Sequence, residues 1–314
     1  MGSHPLLLHV VRPMTRAYRC LPAALVIVLT IGAATPAFAE LDLSGSWAAR
    51  NFEDVMERIP GPYAVDYTGL PINDDARDRA LSYSAAQMGM IERQCALYAP
   101  PYIGLGPFGL KIWNETDPTS GVTIAWHIGA WEDRAGITAW MDGRPRPGPN
   151  APHDRSGFTT GEWQGDTLVT YTTHMGAGVI RRNGVPSSDQ ATMKMFFFRN
   201  GDHLTLLVVV DDPVYLTEPF MVSQNFQLDP SAPIRPIGPP CVPGYEGQSS
   251  DSTVPHYLPG ANPFIDELMQ LYHIPREATL GGAETMYPEF RKRMRDGYVR
   301  PEKCARNCGG PPRP

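Results

Sequence analysis

SGFTTGEWQGDTLVTYTTHM (residues 156–175), ATMKMFFFRNGDHLTLLVVV (191–210) and DDPVYLTEPFMVSQNFQL (211–228) are apolar runs of strand length broken by short polar turns. Gln164-Gly165-Asp166 and Asn200-Gly201-Asp202 stand where a tight hairpin needs glycine at positive φ. Alternation places Leu168, Thr170, Thr172 and His174 on one face, against Val169, Tyr171 and Thr173 on the other. Met193, Met195 and Phe197 likewise oppose Lys194, Phe196 and Phe198. Leu204, Leu206, Val208 and Val210 oppose His203, Thr205, Leu207 and Val209. Strands apolar on both faces need cover on both sides. The stretch therefore reads as a β-meander forming most of one sheet or barrel wall.

Working outward, residues 108–142 hold three further strand-like runs, FGLKIWNE, VTIAWHIGAWED and ITAWMDG. DPTSG (117–121) is a turn by composition, and Arg134-Ala135-Gly136 is a second candidate. GRPRPGPNAP (143–152) has too many prolines for a central strand and becomes a loop joining the two strand blocks. Leu41, Leu43 and Trp47 share a face if LDLSGSW is a first strand, with Trp47 plugging one end of a barrel. Between them, Asp74–Met90 reads as a surface helix with acids at its start, and APPYIGLGPFG (99–109) as a Pro/Gly-rich crossing. Beyond Asp229 the chain is loop-rich. Asn262-Pro263 then opens a helix whose Phe264, Leu268 and Leu271 face the body, and a second short helix runs from Pro288 to Asp296.

The amino-terminal residues read as an export signal. Arg12, Arg16 and Arg19 precede the uncharged run Leu21–Ala34, and Ala37-Phe38-Ala39 supplies the small residues of a cleavage site. The apolar run is shorter than the ~20 residues a spanning helix needs, so no integral membrane segment is expected after cleavage behind Ala39. The expected organisation is residues 1–39 as signal peptide, 40–229 as a β-barrel domain with one early helix, and 230–314 as a loop-rich and helical extension. The expected location is periplasmic or extracellular. Cleavage removes three arginines and no acid, so the formal charge falls from −6 to −9. A mildly acidic surface argues against nucleic acid or anionic lipid as partners. The four cysteines that remain, Cys95, Cys241, Cys304 and Cys308, suit disulfides in an exported chain. Four cysteines allow three pairings; Cys95–Cys241 with Cys304–Cys308 is the preferred one. A zinc site at Cys304 and Cys308 has no histidine nearby in sequence to complete it.

Three phrases add a resemblance: Met141-Asp142-Gly143-Arg144, then GEWQGDTL (161–168), then DDPVYLTEP (211–219), with Gly45-Ser46-Trp47 fitting the same opening. Together they resemble an uncharacterised family of exported bacterial proteins with lipocalin-like barrels, over most of residues 41–229. A closer subgroup carries the phrase GGAETMYPE (281–289). Gln164 departs from the glutamate that is usual there. The resemblance implies a mainly β fold, a lipocalin-like antiparallel β-barrel or strongly curved sheet with a few peripheral helices. It implies no activity.

Four constellations carry candidate chemistry. Four of the six tryptophans, Trp113, Trp126, Trp131 and Trp140, fall between positions 113 and 140. In VTIAWHIGAW one face is plainly apolar, and the other mixes Thr123, Ala125, His127, Gly129 and Trp131 as a ligand cavity would. If the mixed faces point inward, His127, His174 and Asp142 line one pocket beside Trp131 and Trp140. A histidine beside a carboxylate moves a proton near neutral pH. Arg144, in the turn Asp142-Gly143-Arg144, and Arg181, in GVIRRNG, are candidates for an acidic group on a ligand, although the first also reads as a turn whose arginine closes an ion pair and the second as a solvated turn. Tyr215 follows Asp211-Asp212-Pro213, a turn whose aspartates cap backbone N–H groups. No GxSxG, HExxH, phosphate loop or CxxC is present, so no cofactor or metal is expected. The first reading is an exported barrel holding a small apolar or aromatic molecule in a Trp/His-lined cavity. The alternatives are a cofactor-free lyase, isomerase or hydrolase using His127, His174 and Asp142, and an envelope protein without a cavity.

Overall fold

The computed structural model describes residues 41–51, 62–90, 100–105, 109–130, 136–232, 244 and 254–297. The proposed signal peptide, Cys95, Cys241, Cys304, Cys308 and Trp131 lie outside the described residues, as does the turn at Arg134-Ala135.

The strands are β1 (Gly45–Asn51), β2 (Leu110–Thr116), β3 (Thr123–Ala130), β4 (Ile137–Trp140), β5 (Phe158–Gln164), β6 (Thr167–Thr173), β7 (Gly178–Val179), β8 (Pro186–Ser187), β9 (Thr192–Asn200), β10 (His203–Asp211) and β11 (Phe220–Leu228). Nine of them close a barrel in the order β1-β11-β10-β9-β6-β5-β4-β3-β2, and β7 and β8 form a separate ribbon. The mainly β, lipocalin-like fold expected from the sequence is the fold found. Gly165 and Gly201 turn the β5–β6 and β9–β10 hairpins at φ 66° and 58°, as those two-residue loops require. β1 pairs with β11 on one side and β2 on the other, which removes the sheet edge.

One pairing is parallel. β4 lies beside β5 with Ala139 opposite Thr159 and Trp140 opposite Thr160. A parallel neighbour obliges the chain to travel back along the barrel before pairing. Residues 141–157 make that return, and Arg144 and Arg146 in it lie over the outward-facing Trp140 and Tyr171 rings.

Period-two burial identifies the inner face. Trp47, Leu110, Ile112, Trp126, Ile128, Leu168, Phe197, Leu206, Val208 and Phe226 are buried in one core. Trp47 donates from its indole to the Leu43 carbonyl at 2.9 Å, with the Arg199 guanidinium over its ring. This is the plugged end expected from LDLSGSW. The 3-10 turn Pro100–Gly104 and Leu105 are buried throughout. They rest on β10 and β11, where a Cβ on Gly104 would meet Val208 and Val222. Residues 100–105 of the Pro/Gly-rich crossing are thus part of the core and occupy space against the inner face.

The early helix α1 is shorter than expected, Asp74–Ser82, capped by the Asn73 side chain. Tyr83 then makes a bridge with His256, and a 3-10 turn, Ala85–Gly89, follows. In the extension, α2 (Glu267–Tyr272), α3 (Arg276–Thr279) and α4 (Pro288–Gly297) are short. Asn262 does not cap α2 directly. Its amide donates to the Leu81 carbonyl and its side-chain oxygen accepts from Phe264 N–H. Two of the quoted phrases brace one loop, residues 63–73. Thr217 N–H donates to the Pro71 carbonyl, and Gly282 N–H to that of Leu70, both at 2.8 Å. No helix among the described residues is long and apolar enough to cross a membrane.

Candidate functional site

Register assembles the site on the outer face. Trp140 pairs with Ala125 and Thr160, Thr160 with Tyr171, and Tyr171 with Lys194. The adjacent outward row is Glu162, Val169 and Phe196. The return segment 141–157 walls this surface and makes a groove of about 960 Å³. That volume suits a drug-sized molecule.

The charges around it are of two kinds. Arg144 is neutralised by Asp142 through Nε at 2.9 and 3.0 Å and Nη2 at 2.6 Å. The Arg144 hydrogen bonds hold the Asp142 carboxyl below its usual range, and Asp142 raises Arg144 in turn. Arg146 and Lys194 differ. Arg146 donates to the Thr160 hydroxyl at 3.3 Å and lies 4.2 Å from the Tyr171 ring centre. Lys194 Nζ lies 6.0 Å from the same ring. Neither forms an ion pair among the described residues. Glu162 Oε1 accepts from the Gln164 amide at 2.6 Å.

Next to the groove, on the same face, His127 stacks on Trp113 with ring centres 5.1 Å apart. Its Nε2 meets Glu115 at 3.1 Å and its Nδ1 meets the Thr138 hydroxyl at 3.2 Å. Both ring nitrogens are therefore engaged within the protein.

The structure brings together Trp113, His127, Trp140, Asp142 and Arg144, but on the outer wall. The inward placement of the mixed face is corrected: the aliphatic face of β3 takes the interior, because the core needs its Trp126 and Ile128. Trp126 lies in that core, edge-on to Trp163 at 6.4 Å. His174 leaves the β6 pattern in a left-handed conformation, φ 56°. Its ring sits beside His153, and its Nε2 bonds the Gly148 carbonyl at 2.9 Å. Arg181 is not a solvated turn residue. It is buried and donates to the Asp66 carbonyl at 3.0 Å. Tyr215 is buried, with the Arg79 guanidinium 5.3 Å above its ring. Asp212 does what a turn aspartate was expected to do. It accepts from Ser188 N–H and hydroxyl at 2.7 Å each, and from the N–H groups of Val214 and Tyr215. No group of three His, Cys, Asp or Glu among the described residues is placed to hold a metal ion.

Arg146, Thr160, Tyr171, Lys194 and Phe196 were missed as site residues. Alternation sets Tyr171 opposite Leu168, and Lys194 and Phe196 opposite Met193 and Met195, but what joins them to Thr160 and Arg146 is the parallel β4–β5 pair and its return segment, which have no local signature. Comparisons with family models, characterised proteins and solved structures give no match for this chain.

Proposed function

We propose that the chain is an exported β-barrel protein that binds a small apolar or aromatic molecule, and that this molecule lies in the outer groove instead of the barrel interior. The observation that carries this reading is the juxtaposition of Trp140 and Tyr171 with Arg146 and Lys194, two cations that lack carboxylate partners among the described residues. Rings layered with guanidinium planes, beside cations that have no acid, offer a guest apolar contact area and an electrostatic anchor. The basic flank, the apolar run and Ala37-Phe38-Ala39 support export.

The acid–base alternative finds less support. His127 and Asp142 share a face, yet both nitrogens of one and both oxygens of the other are bound by neighbours. His174 is held by Thr173 and Gly148 instead.

Tryptophan emission and ligand-observed NMR against a panel of small aromatic and aliphatic compounds test the proposal. The expected result is saturable binding that is lost in Trp140→Ala and in Tyr171→Ala and retained in Trp163→Phe. Binding unchanged by either groove substitution would place the guest elsewhere and overturn the assignment.

A further inference from the structure

The groove opens on one side to an exposed apolar wall. Lys194, Phe196 and Phe198 succeed one another on the outer face of β9. The two phenyl rings lie nearly parallel, 8° between planes, and Phe198 is 43% exposed. Across the sheet, Phe196 pairs with Leu207, and Lys194 with Val209, which pairs with Met221. Met221 is 64% exposed. Contiguous apolar side chains on the outer face of a barrel mark a contact surface. It is continuous with the only two groove cations that lack an acid, Arg146 and Lys194, among the described residues.

We propose that the groove's ligand is an anionic amphiphile, a molecule with one acidic head and an unbranched apolar tail. This rests on the outer-groove reading and narrows its ligand class. The head sits between Arg146, which covers the Tyr171 ring, and Lys194 beside it, where a guanidinium and an ammonium present donors to a carboxylate or sulfate. The tail runs along β9 across Phe196 to Phe198. Four residues of strand cover about 13 Å, which matches a medium-length chain. Charge complementarity selects this guest over a neutral one. Glu162, the one carboxylate in the groove wall, accepts from the Gln164 amide and stands on β5, two strands away from Lys194 on β9.

The test uses the whole mature chain and three probes, decanoate and decyl sulfate below their micelle concentrations and decanol below its solubility limit, with hexanoate as a short-chain control. Affinity is read by isothermal titration. The expected result is that both anions bind, and decanol binds at least fivefold more weakly. Arg146→Ala with Lys194→Ala should cost the anions about tenfold and leave decanol within twofold, as loss of two partly exposed ion contacts predicts. Phe198→Ser should weaken decanoate and leave hexanoate unchanged. Equal binding of decanol and decanoate would overturn the anionic assignment while leaving a groove for apolar guests. Failure of all three probes, with aromatic compounds still bound at Trp140, would overturn the amphiphile alone. Failure of every probe and every aromatic compound would overturn the outer-groove reading as well. Capture by anionic phospholipid vesicles without binding of monomeric decanoate would replace the proposal with a membrane-docking face.

Discussion

The Arg144 guanidinium lies 3.4 Å from the centre of the Trp140 ring, fixed there by both oxygens of Asp142. The stacked arginine therefore contributes shape to the groove and little net charge. Asp142→Asn removes the neutralising charge without changing the volume. Affinity for an anionic guest should rise several-fold, affinity for a neutral guest of equal length should stay constant, and circular dichroism should be unchanged. A fall in anion affinity would mean that Arg144 needs its ionised partner to hold its place.

The same pair gives a pH dependence of known sign. The Asp142 carboxyl titrates below its ordinary value because Arg144 donates to its charged form. The pair's stabilising contact is present above the unfolded value near 3.9 and is lost as pH falls through the lower folded value. Binding of decyl sulfate, which keeps its charge, should show no change from Asp142 between pH 5 and 8. It should strengthen only on strong acidification, when Arg144 is released. Titrations at fixed ionic strength check this.

Gly104 lies against the inner wall, where an added Cβ would come 2.8 Å from a Val208 methyl and 3.0 Å from a Val222 methyl. The two valines are cross-strand neighbours on β10 and β11, so both must shift to admit the methyl. Gly104→Ala should cost about 1–3 kcal/mol, the usual range for overpacking a filled core. Urea denaturation with an unchanged m-value would show this as a native-state effect. A neutral result would mean that residues 100–105 are loosely seated.

These contacts explain what the sequence could and could not disclose. The hairpins around Gly165 and Gly201, the inward row from Leu204 to Val210, the plug at Trp47 and the capping aspartate at 212 are local patterns, and they were legible. The direction of the mixed face in β3 was not. It was expected to look inward on the supposition of a hollow barrel, whereas Pro100–Leu105 takes up interior space against β10 and β11. A Pro/Gly-rich segment has no hydrophobic period to announce that it is buried. Arg181 misled for a related reason: its burial depends on the Asp66 carbonyl, more than a hundred residues away in sequence. The groove depends on the parallel β4–β5 register, a non-local fact. What could be read was the turn Asp142-Gly143-Arg144 with its arginine closing an ion pair.

Asp212 holds the turn after β10 by accepting from three backbone N–H groups and one hydroxyl while almost fully buried. Asp212→Ala leaves these donors without an acceptor. The expected loss is about 3 kcal/mol, since bonds to a charged acceptor are strong and buried orphan donors are costly. The β7–β8 ribbon, which ends at Ser187, should exchange its amide protons faster in the variant. Guest affinity at the groove should be unchanged, because Asp212 lies away from it. A parallel loss of affinity would show that the turn and the groove are coupled.

Tyr67 is fully buried in the loop braced by the carboxyl-terminal extension, and its backbone N–H donates to the Thr279 carbonyl at 2.8 Å. Burial pushes its phenol well above the ordinary value near 10, and the neighbouring Asp66 adds to this. The folded protein keeps the proton while the unfolded chain releases it. The stabilising term is thus complete below pH 10 and is lost as pH rises through the folded value. The loss is about 1.4 kcal/mol per pH unit above 10. Tyr67→Phe forfeits the hydroxyl's contact with the Ala64 carbonyl, about 1 kcal/mol at neutral pH. It also removes the alkaline sensitivity of this site. Melting temperatures of the two proteins should therefore converge between pH 9 and 11, with the variant falling less steeply. Tyr287, whose phenol is raised by Glu218, is common to both and cancels in the comparison. Parallel curves would show that Tyr67 ionises without disturbing the loop against which Thr279 and Gly282 are bound.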